Sequence, residues 1–156
     1  MHTDFLSIIN NVFFWAGFLA WVVAQFTKML CGVFRTRRLD FSYMVSTGGM
    51  PSAHTALVAG LATAVGLRCG FASAIFVLAL AVAFITMFDA ATVRRAAGVQ
   101  ARLLNDILDE LFIEHHLSQR KLKELLGHTR LEVFMGAVVG ILTSMLVVSV
   151  SIRTAS

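Results

Sequence analysis

The sequence predicts an all-α protein, a polytopic helical bundle that spans a membrane. Apolar residues make up 58% of the chain and charged residues only 14%. The mean hydropathy of +0.80 is correspondingly high. This composition is typical of membrane proteins and argues against an ordinary soluble domain. At 156 residues, we expect a single membrane domain that covers 1–156.

Four apolar stretches are candidate transmembrane helices, and they predict spans at about 5–27, 51–67, 71–88 and 131–150. The first stretch lacks the basic start of a signal peptide, and it is longer than the apolar region of one. We therefore expect it to remain in the protein as a transmembrane helix. Between the third and fourth spans, residues 92–112 and 118–126 have amphipathic patterns. They predict one or two cytoplasmic helices that lie at the membrane interface or against the bundle.

Small residues recur at a spacing of four in two of the spans. The second span carries Ala56, Gly60 and Ala64, and the fourth carries Gly136 and Gly140. Such patterns allow two helix backbones to approach closely in a membrane. They therefore predict tight helix contacts, which could form within one chain or between chains.

The first span carries a stripe of polar and aromatic residues that we expect to face the bundle interior. Its members are Asn11, Phe14, Phe18, Trp21, Gln25 and Lys28. Lys28 has two interpretations, because a lysine at the end of a span often extends to the lipid headgroups. Arg35 follows seven residues later on the same helical face, so the two residues could share an inward role. This interpretation of Lys28 has as much support as the headgroup interpretation.

The basic residues are distributed very unevenly between the two sides of this topology. Eleven lysines and arginines fall in segments 28–50 and 89–131, whereas only Arg68 and Arg153 fall on the other side. The positive-inside rule then predicts cytoplasmic long segments and external termini, in a plasma membrane of the bacterial type. Cys31 and Cys69 would lie on opposite membrane faces, and no metal-ligand spacing of Cys and His is present.

The same topology gathers chemically capable side chains at one membrane face. They are Lys28, Arg35, Ser52, His54, Asp89, Arg94, Arg95, His128 and Glu132. Two spans begin at this face, and each has a histidine near its start. Because a helix N-terminus offers free N–H groups and a positive dipole end, two histidines with nearby cations indicate a phosphate site.

Each feature of this face also has a purely structural explanation. Thr129 and Glu132 fit a capping box, which alone would account for the glutamate. Pro51 is favoured in a first helical turn. Ser52 and Thr55 are good caps. The individual residues leave both explanations open, and the phosphate-site hypothesis depends on their coincidence at one face.

Three motifs in this region resemble those of the type 2 phosphatidic acid phosphatases, which are related to bacterial acid phosphatases and vanadium haloperoxidases. Lys28 and Arg35 match the spacing of the first motif, with Thr36 in place of its proline. Residues 51–54, Pro-Ser-Ala-His, match the second except for the alanine. His128 and Glu132 keep the spacing that ends the third, although its Ser-Arg pair falls on Lys-Leu at 121–122.

The chain looks most like a divergent branch of that superfamily, formed by small integral-membrane proteins. The pattern consists of Ser-Thr-Gly-Gly-Met-Pro-Ser-Ala-His at 46–54, Asp89, Arg-Arg-Ala-Ala-Gly at 94–98, Leu-Leu-Gly-His-Thr at 125–129, and Glu132. The resemblance extends from about Ala24 to Leu146, nearly the whole chain.

The resemblance implies a role for each matching residue. His128 would be the nucleophile that forms a phosphohistidine, Glu132 would orient it, and His54 would be the general acid. The phosphoryl oxygens would be bound by Lys28, Arg35, Ser52 and the backbone N–H of Ala53, with Arg94 or Arg95 in place of the missing arginine. Asp89 and Gly49 would support the site.

The implied activity is that of a metal-independent phosphatase, without a cofactor, that acts on a lipid-linked or membrane-proximal phosphate ester. Its expected partners are membrane lipids and this phosphorylated substrate, not nucleic acid. The alternative is a catalytically inactive membrane protein that binds phosphate or a lipid headgroup. A small transporter or assembly factor has less support, because no inverted repeat or broken helix is visible in the sequence.

Overall fold

The computed structural model describes residues 5–37, 49–111 and 128–155, and every regular element in these ranges is helical. A 3-10 helix, Phe5–Asn10, precedes the α-helices α1 (Val12–Thr36), α2 (Ala53–Cys69), α3 (Ala74–Ala91), α4 (Val93–Leu111) and α5 (Arg130–Ala155). The predicted all-α membrane fold class is confirmed. The short helix predicted at 118–126 lies outside the described residues.

Three of the described apolar stretches are long enough to cross a membrane, judged by length and composition. They are Val12–Phe34, Ala74–Ile107 and Arg130–Thr154. The α2 helix, Ala53–Cys69, is also apolar but shorter. At 17 residues it rises about 25 Å, somewhat less than the roughly 30 Å of bilayer hydrocarbon.

The first α-helix begins later than the sequence pattern predicts. The Asn11 side chain caps α1 by accepting hydrogen bonds from the backbone N–H groups of Phe13 at 2.9 Å and Phe14 at 3.3 Å. Its C-terminus extends to Arg37, whose left-handed backbone closes the helix. The predicted span of 5–27 is therefore displaced, because hydropathy averages over a polar cap. Lys28 consequently lies well inside α1.

The predicted inward stripe of α1 is only partly correct. The buried face is a four-residue repeat consisting of Ala16, Ala20, Ala24 and Lys28. Gln25 is buried as predicted, but the side chains of Phe14 and Phe18 are 38% and 40% exposed. Close helix packing selects small side chains for the interior, so the large rings are displaced to the outer surface.

The α2 helix is the centre of the bundle, packed most extensively against α5, then α1, then α3. A methyl group added to Gly60 would lie 2.8 Å from Ala20 Cβ and 3.3 Å from the Gly140 carbonyl oxygen. At Gly140 it would overlap the Ala56 backbone. The two small-residue patterns therefore meet each other, and the predicted tight contact forms within one chain.

The α3 and α4 helices lie at the periphery. Phe84, Ile85 and Phe88 of α3 are 61%, 70% and 68% exposed, as expected of a helix that faces lipid. Among the described elements, α4 packs only against α3. Its apolar Leu103 and Leu104 stay about half exposed, so the predicted apolar side of α4 is not covered by the described bundle.

The antiparallel order of α1, α2, α3 and α5 separates two chemically different ends. The end with Lys28 and His128 is polar. At the opposite end, an apolar cavity of about 470 Å³ lies between the start of α1 and the end of α5, beside Trp15 and Val150. Cys31, in α1, and Cys69, the last residue of α2, are free, exposed thiols. Their separation by the membrane stays a prediction.

Candidate active site

The start of α5 holds a buried histidine against a glutamate. His128 Nδ1 lies 3.2 Å from Glu132 Oε2, one helical turn away. The same Oε2 accepts a hydrogen bond from the Thr129 backbone N–H at 2.8 Å, and Thr129 Oγ1 accepts one from the Glu132 N–H at 3.3 Å. The capping box and the histidine contact thus use one carboxylate. The capping-box explanation of Glu132 is confirmed, and its catalytic role stays a prediction.

The environment of His128 favours its neutral form. The ring is only 4% exposed, and this burial is the main reason that its pKa is lowered from the usual 6.5. The nearby charges of Lys28 and His54 lower the pKa further, whereas the hydrogen bond and charge of Glu132 oppose the shift. The carboxylate accepts the Nδ1 hydrogen, which leaves the lone pair on Nε2 available.

A serine and a threonine, both fully buried, lie at the N-terminus of α2. Ser52 caps the helix, and its Oγ accepts hydrogen bonds from the Thr55 backbone N–H at 3.5 Å and from Thr55 Oγ1 at 3.1 Å. Ala53 is buried at the first helical position and His54, next to it, is exposed. Pro51 precedes the cap, so its predicted place inside the first turn is wrong.

Lys28 reaches this end of the bundle from α1. Its side chain is only 4% exposed and lies within the electrostatic range of Glu132. Gly49 has a φ of +99°, and a Cβ there would contact Lys28 Cγ at 3.5 Å. Because the lysine is enclosed in this way, the headgroup interpretation of Lys28 does not hold.

A backbone hydrogen bond joins the two helix starts. The Ser52 N–H donates to the Glu132 carbonyl oxygen at 2.9 Å. The contact requires Gly136, because a methyl group there would overlap the Ser52 carbonyl oxygen and lie 3.0 Å from Thr55 Cβ. The structure therefore brings Ser52 and Glu132, from two distant motifs, into direct contact.

For the remaining predicted site residues, the structure gives the position in a helix but few side-chain contacts. Asp89 lies half-buried in the last turn of α3. Arg35 lies in the last turns of α1, and Arg94 and Arg95 lie in the first turn of α4. The side chains of these three arginines are not among those that the structure describes, so their phosphate-binding role stays a prediction.

Comparison with known proteins assigns the chain to a family. The model of the divergent PAP2 family matches residues 9–143. The chain belongs to the divergent PAP2 family. It is also similar to the uncharacterized membrane protein YuiD of Bacillus subtilis (strain 168), with 38% identity over 151 residues, which cover 90% of this chain and 96% of that protein. No solved structure matches. Family membership indicates a phosphatase-related function in an integral membrane protein.

Sequence reasoning missed two residues of this divergent PAP2 protein that shape the candidate site. Thr55 was explained only as a possible cap, although it contacts Ser52 Oγ. Gly136 was explained only as a packing residue, although it contacts the Ser52 backbone. The i,i+3 spacing of Ser52 and Thr55 could have indicated the first contact. Nothing in the sequence indicates which helix Gly136 faces.

Proposed function

We propose that this member of the divergent PAP2 family is a metal-independent membrane phosphatase. Its substrate would be a lipid-linked or other membrane-proximal phosphate ester, and the reaction would pass through a phosphohistidine on His128. The main support is the buried His128–Glu132 pair, at 3.2 Å, next to the enclosed cation Lys28. A neutral, oriented imidazole beside a fixed positive charge is the arrangement that a nucleophile for phosphorus needs.

In the first step, the lone pair of His128 Nε2 attacks phosphorus, and the bond from phosphorus to the leaving oxygen breaks. Glu132 accepts the Nδ1 hydrogen throughout and stabilises the positive charge that develops on the ring. His54, at the first turn of α2, donates a proton to the leaving oxygen as general acid. The products are the dephosphorylated alcohol and a phosphorylated His128.

In the second step, a water molecule attacks the same phosphorus, and the nitrogen–phosphorus bond breaks. His54, now neutral, accepts a proton from that water, which returns it to its starting state. Inorganic phosphate leaves, and the electron pair returns to His128 Nε2. No redox partner is needed, and every proton is accounted for by His54 and water.

The phosphoryl oxygens carry the negative charge that the rest of the site would neutralise. Lys28 would supply a fixed cation, and the start of α2 would supply the Ser52 hydroxyl and the free N–H of Ala53. Arg35, with Arg94 or Arg95, would complete the cluster. Gly49 and Asp89 would support it from the two neighbouring segments.

A second candidate is a catalytically inactive protein that binds phosphate or a lipid headgroup. It is favoured by one specific feature: the positions of the family's Ser-Arg pair are Lys and Leu at 121–122. A lost cation removes stabilisation from the transition state and can leave ground-state binding intact.

The test uses the full chain purified in detergent and measures inorganic phosphate released from phosphatidic acid and from a polyprenyl diphosphate. We expect release by the wild type and none above background by His128→Ala. Arg130→Ala is the matched control, because Arg130 is exposed at the same helix start and has no proposed role. It should retain full release. Equal release by the His128 variant would exclude the phosphohistidine mechanism, and orthovanadate binding without turnover would favour the second candidate.

We also propose that the site faces the cytoplasm and that both termini face outward, from the excess of basic residues at the site end. The native thiols supply the test. Cys31 lies toward the site end, Cys69 lies toward the other, and both are exposed. In intact cells, a membrane-impermeant maleimide should label Cys69 and spare Cys31, and both thiols should react once the protein is solubilised in detergent. Labelling of Cys31 alone would reverse the orientation.

A further inference from the structure

We infer that Thr55 is a positioning residue, which fixes the Ser52 hydroxyl as a hydrogen-bond donor toward a bound phosphoryl group. This inference rests on the proposed function, because it takes Ser52 as a ligand of the phosphoryl oxygens. It adds a residue that none of the three family-like motifs contains. Its basis is the geometry of two adjacent buried hydroxyl groups at the start of α2.

The lone pairs of Ser52 Oγ are already used by Thr55. Thr55 Oγ1 donates to Ser52 Oγ at 3.1 Å, and the Thr55 backbone N–H points to the same oxygen at 3.5 Å. A hydroxyl group has two acceptor positions and one donor hydrogen. With both acceptor positions occupied, Ser52 has only its hydrogen left to offer.

The two hydrogen bonds described for Ser52 Oγ are both accepted from Thr55, so neither of them uses the hydroxyl hydrogen. Both side chains are completely buried, so bulk water does not satisfy the group. The backbone N–H of Ser52 is also committed, to the Glu132 carbonyl oxygen at 2.9 Å. A buried hydroxyl hydrogen needs an acceptor, and an anionic oxygen bound at the helix start would supply one.

Thr55 is itself held in place by α5. A Cβ added at Gly136 would lie only 3.0 Å from Thr55 Cβ, so the threonine packs closely against that helix. A β-branched side chain is also stiff about its first torsion angle. This packing restricts the Oγ1 hydroxyl beside Ser52 Oγ, so Ser52 is oriented before any ligand arrives, which lowers the entropic cost of binding.

The experiment measures orthovanadate binding to the full chain in detergent by calorimetry, together with the unfolding temperature. Thr55→Val keeps the shape and removes the donor, and we expect it to weaken binding about fivefold to tenfold, the value of one well-formed hydrogen bond. Thr55→Ser should restore near-wild-type affinity. Thr63→Val is the control, because Thr63 Oγ1 donates to the Ala59 carbonyl oxygen at 2.8 Å in the same helix. It should leave the affinity unchanged.

A double-mutant cycle separates positioning from simple packing. In a Ser52→Ala background, Thr55→Val should cause no further loss of affinity, because its effect acts through Ser52. An equal loss in both backgrounds would overturn the inference. So would a Thr55→Val protein that unfolds earlier but binds orthovanadate as well as the wild type. If the valine variant does not fold, Thr55→Ala takes its place in the cycle.

The two proposals fail in distinguishable ways. A wild-type protein that binds orthovanadate, with an unaffected Thr55→Val variant, overturns the role of Thr55 and leaves the proposed function standing. A wild-type protein that binds no orthovanadate and releases no phosphate overturns the proposed function, and the role of Thr55 falls with it.

Discussion

The two helix starts that form the candidate site are built in different ways. The start of α5 is made by its own sequence, since Thr129 and Glu132 cap each other and the same carboxylate holds His128. The start of α2 is capped by Ser52, but its position depends on other parts of the chain. Its backbone bonds to Glu132, and Gly136 lets α5 approach it.

This difference separates two properties that a site needs. A locally encoded start fixes the chemistry of a side chain, here the tautomer and orientation of His128. A start held by tertiary contacts fixes distance, here between Ser52 and the α5 helix. Substitutions at the contact between α2 and α5 should therefore affect ligand geometry, whereas substitutions within 128–132 should affect the histidine itself.

After the complete loss expected of His128→Ala, the largest effect is expected where the two halves touch. Gly136→Ala places a methyl group against the Ser52 carbonyl oxygen, so the helix starts must separate. A misplacement of about 1 Å at a catalytic site can lower the rate about 100-fold. We expect a loss of that order in phosphate release, measured in detergent with matched protein amounts.

Gly140→Ala is the control for that prediction. It places a methyl group against the Ala56 backbone, one helical turn deeper, and should destabilise the bundle by a comparable amount, about 1–3 kcal/mol for overpacking. Its effect on phosphate release should be much smaller than that of Gly136→Ala. Equal losses of activity would mean that general destabilisation, and not the spacing at Ser52, explains both variants.

A smaller effect is expected from substitutions that separate the two roles of Glu132, which are to cap α5 and to stabilise His128. Glu132→Gln keeps an oxygen that can cap the helix but removes the charge that stabilises a positive His128. Thr129→Ala removes only the other half of the capping box. We expect the glutamine variant to lose about tenfold or more in phosphate release, as when one charge-assisted hydrogen bond is weakened.

We expect Thr129→Ala to retain most of its activity and to lose about 1 kcal/mol of stability, the usual cost of a lost N-cap. Thermal unfolding and phosphate release, measured on both variants, separate the two tasks. The opposite pattern, with an active glutamine variant and an inactive Thr129→Ala protein, would show that the cap and not the charge matters for His128.

The smallest effect concerns the protonation of His128. Because burial lowers its pKa below 6.5, the ring should stay neutral through pH 7 and titrate only in more acidic solution. Histidine-ring NMR should show this midpoint. Glu132→Gln should lower it further, and Lys28→Met should raise it, since those two charges act in opposite directions. A midpoint at or above 6.5 in the wild type would contradict the buried placement of the ring.

The same shift sets the direction of a stability change. As the pH falls below about 6.5, the unfolded chain takes up a proton at this histidine before the folded chain does, so folding loses stability toward acid. At higher pH both states are neutral and His128 contributes no pH dependence. His128→Ala should therefore flatten the stability profile between pH 6.5 and the midpoint of the folded state.

The sequence predicted the features that depend on local pattern. The fold class follows from four apolar stretches, because any helix in lipid must satisfy its own backbone and expose apolar side chains. The Thr129–Glu132 capping box follows from spacing alone. The start of α1 was misplaced, since Asn11 acts through a specific cap that an averaged hydropathy does not detect. The inward stripe was correct for Gln25 and Lys28 but not for Phe14 and Phe18, because close packing excluded the large rings.

By itself, the sequence determined the all-α membrane fold class, the small-residue faces and the capping box of α5. Only the tertiary structure decided that Lys28 is enclosed, that Ser52 bonds to Glu132 and that Gly136 lies against both Ser52 and Thr55. Helix periodicity fixes which residues share a face. It does not fix which helix meets that face or at what depth, because those depend on backbone contacts between segments far apart in the chain.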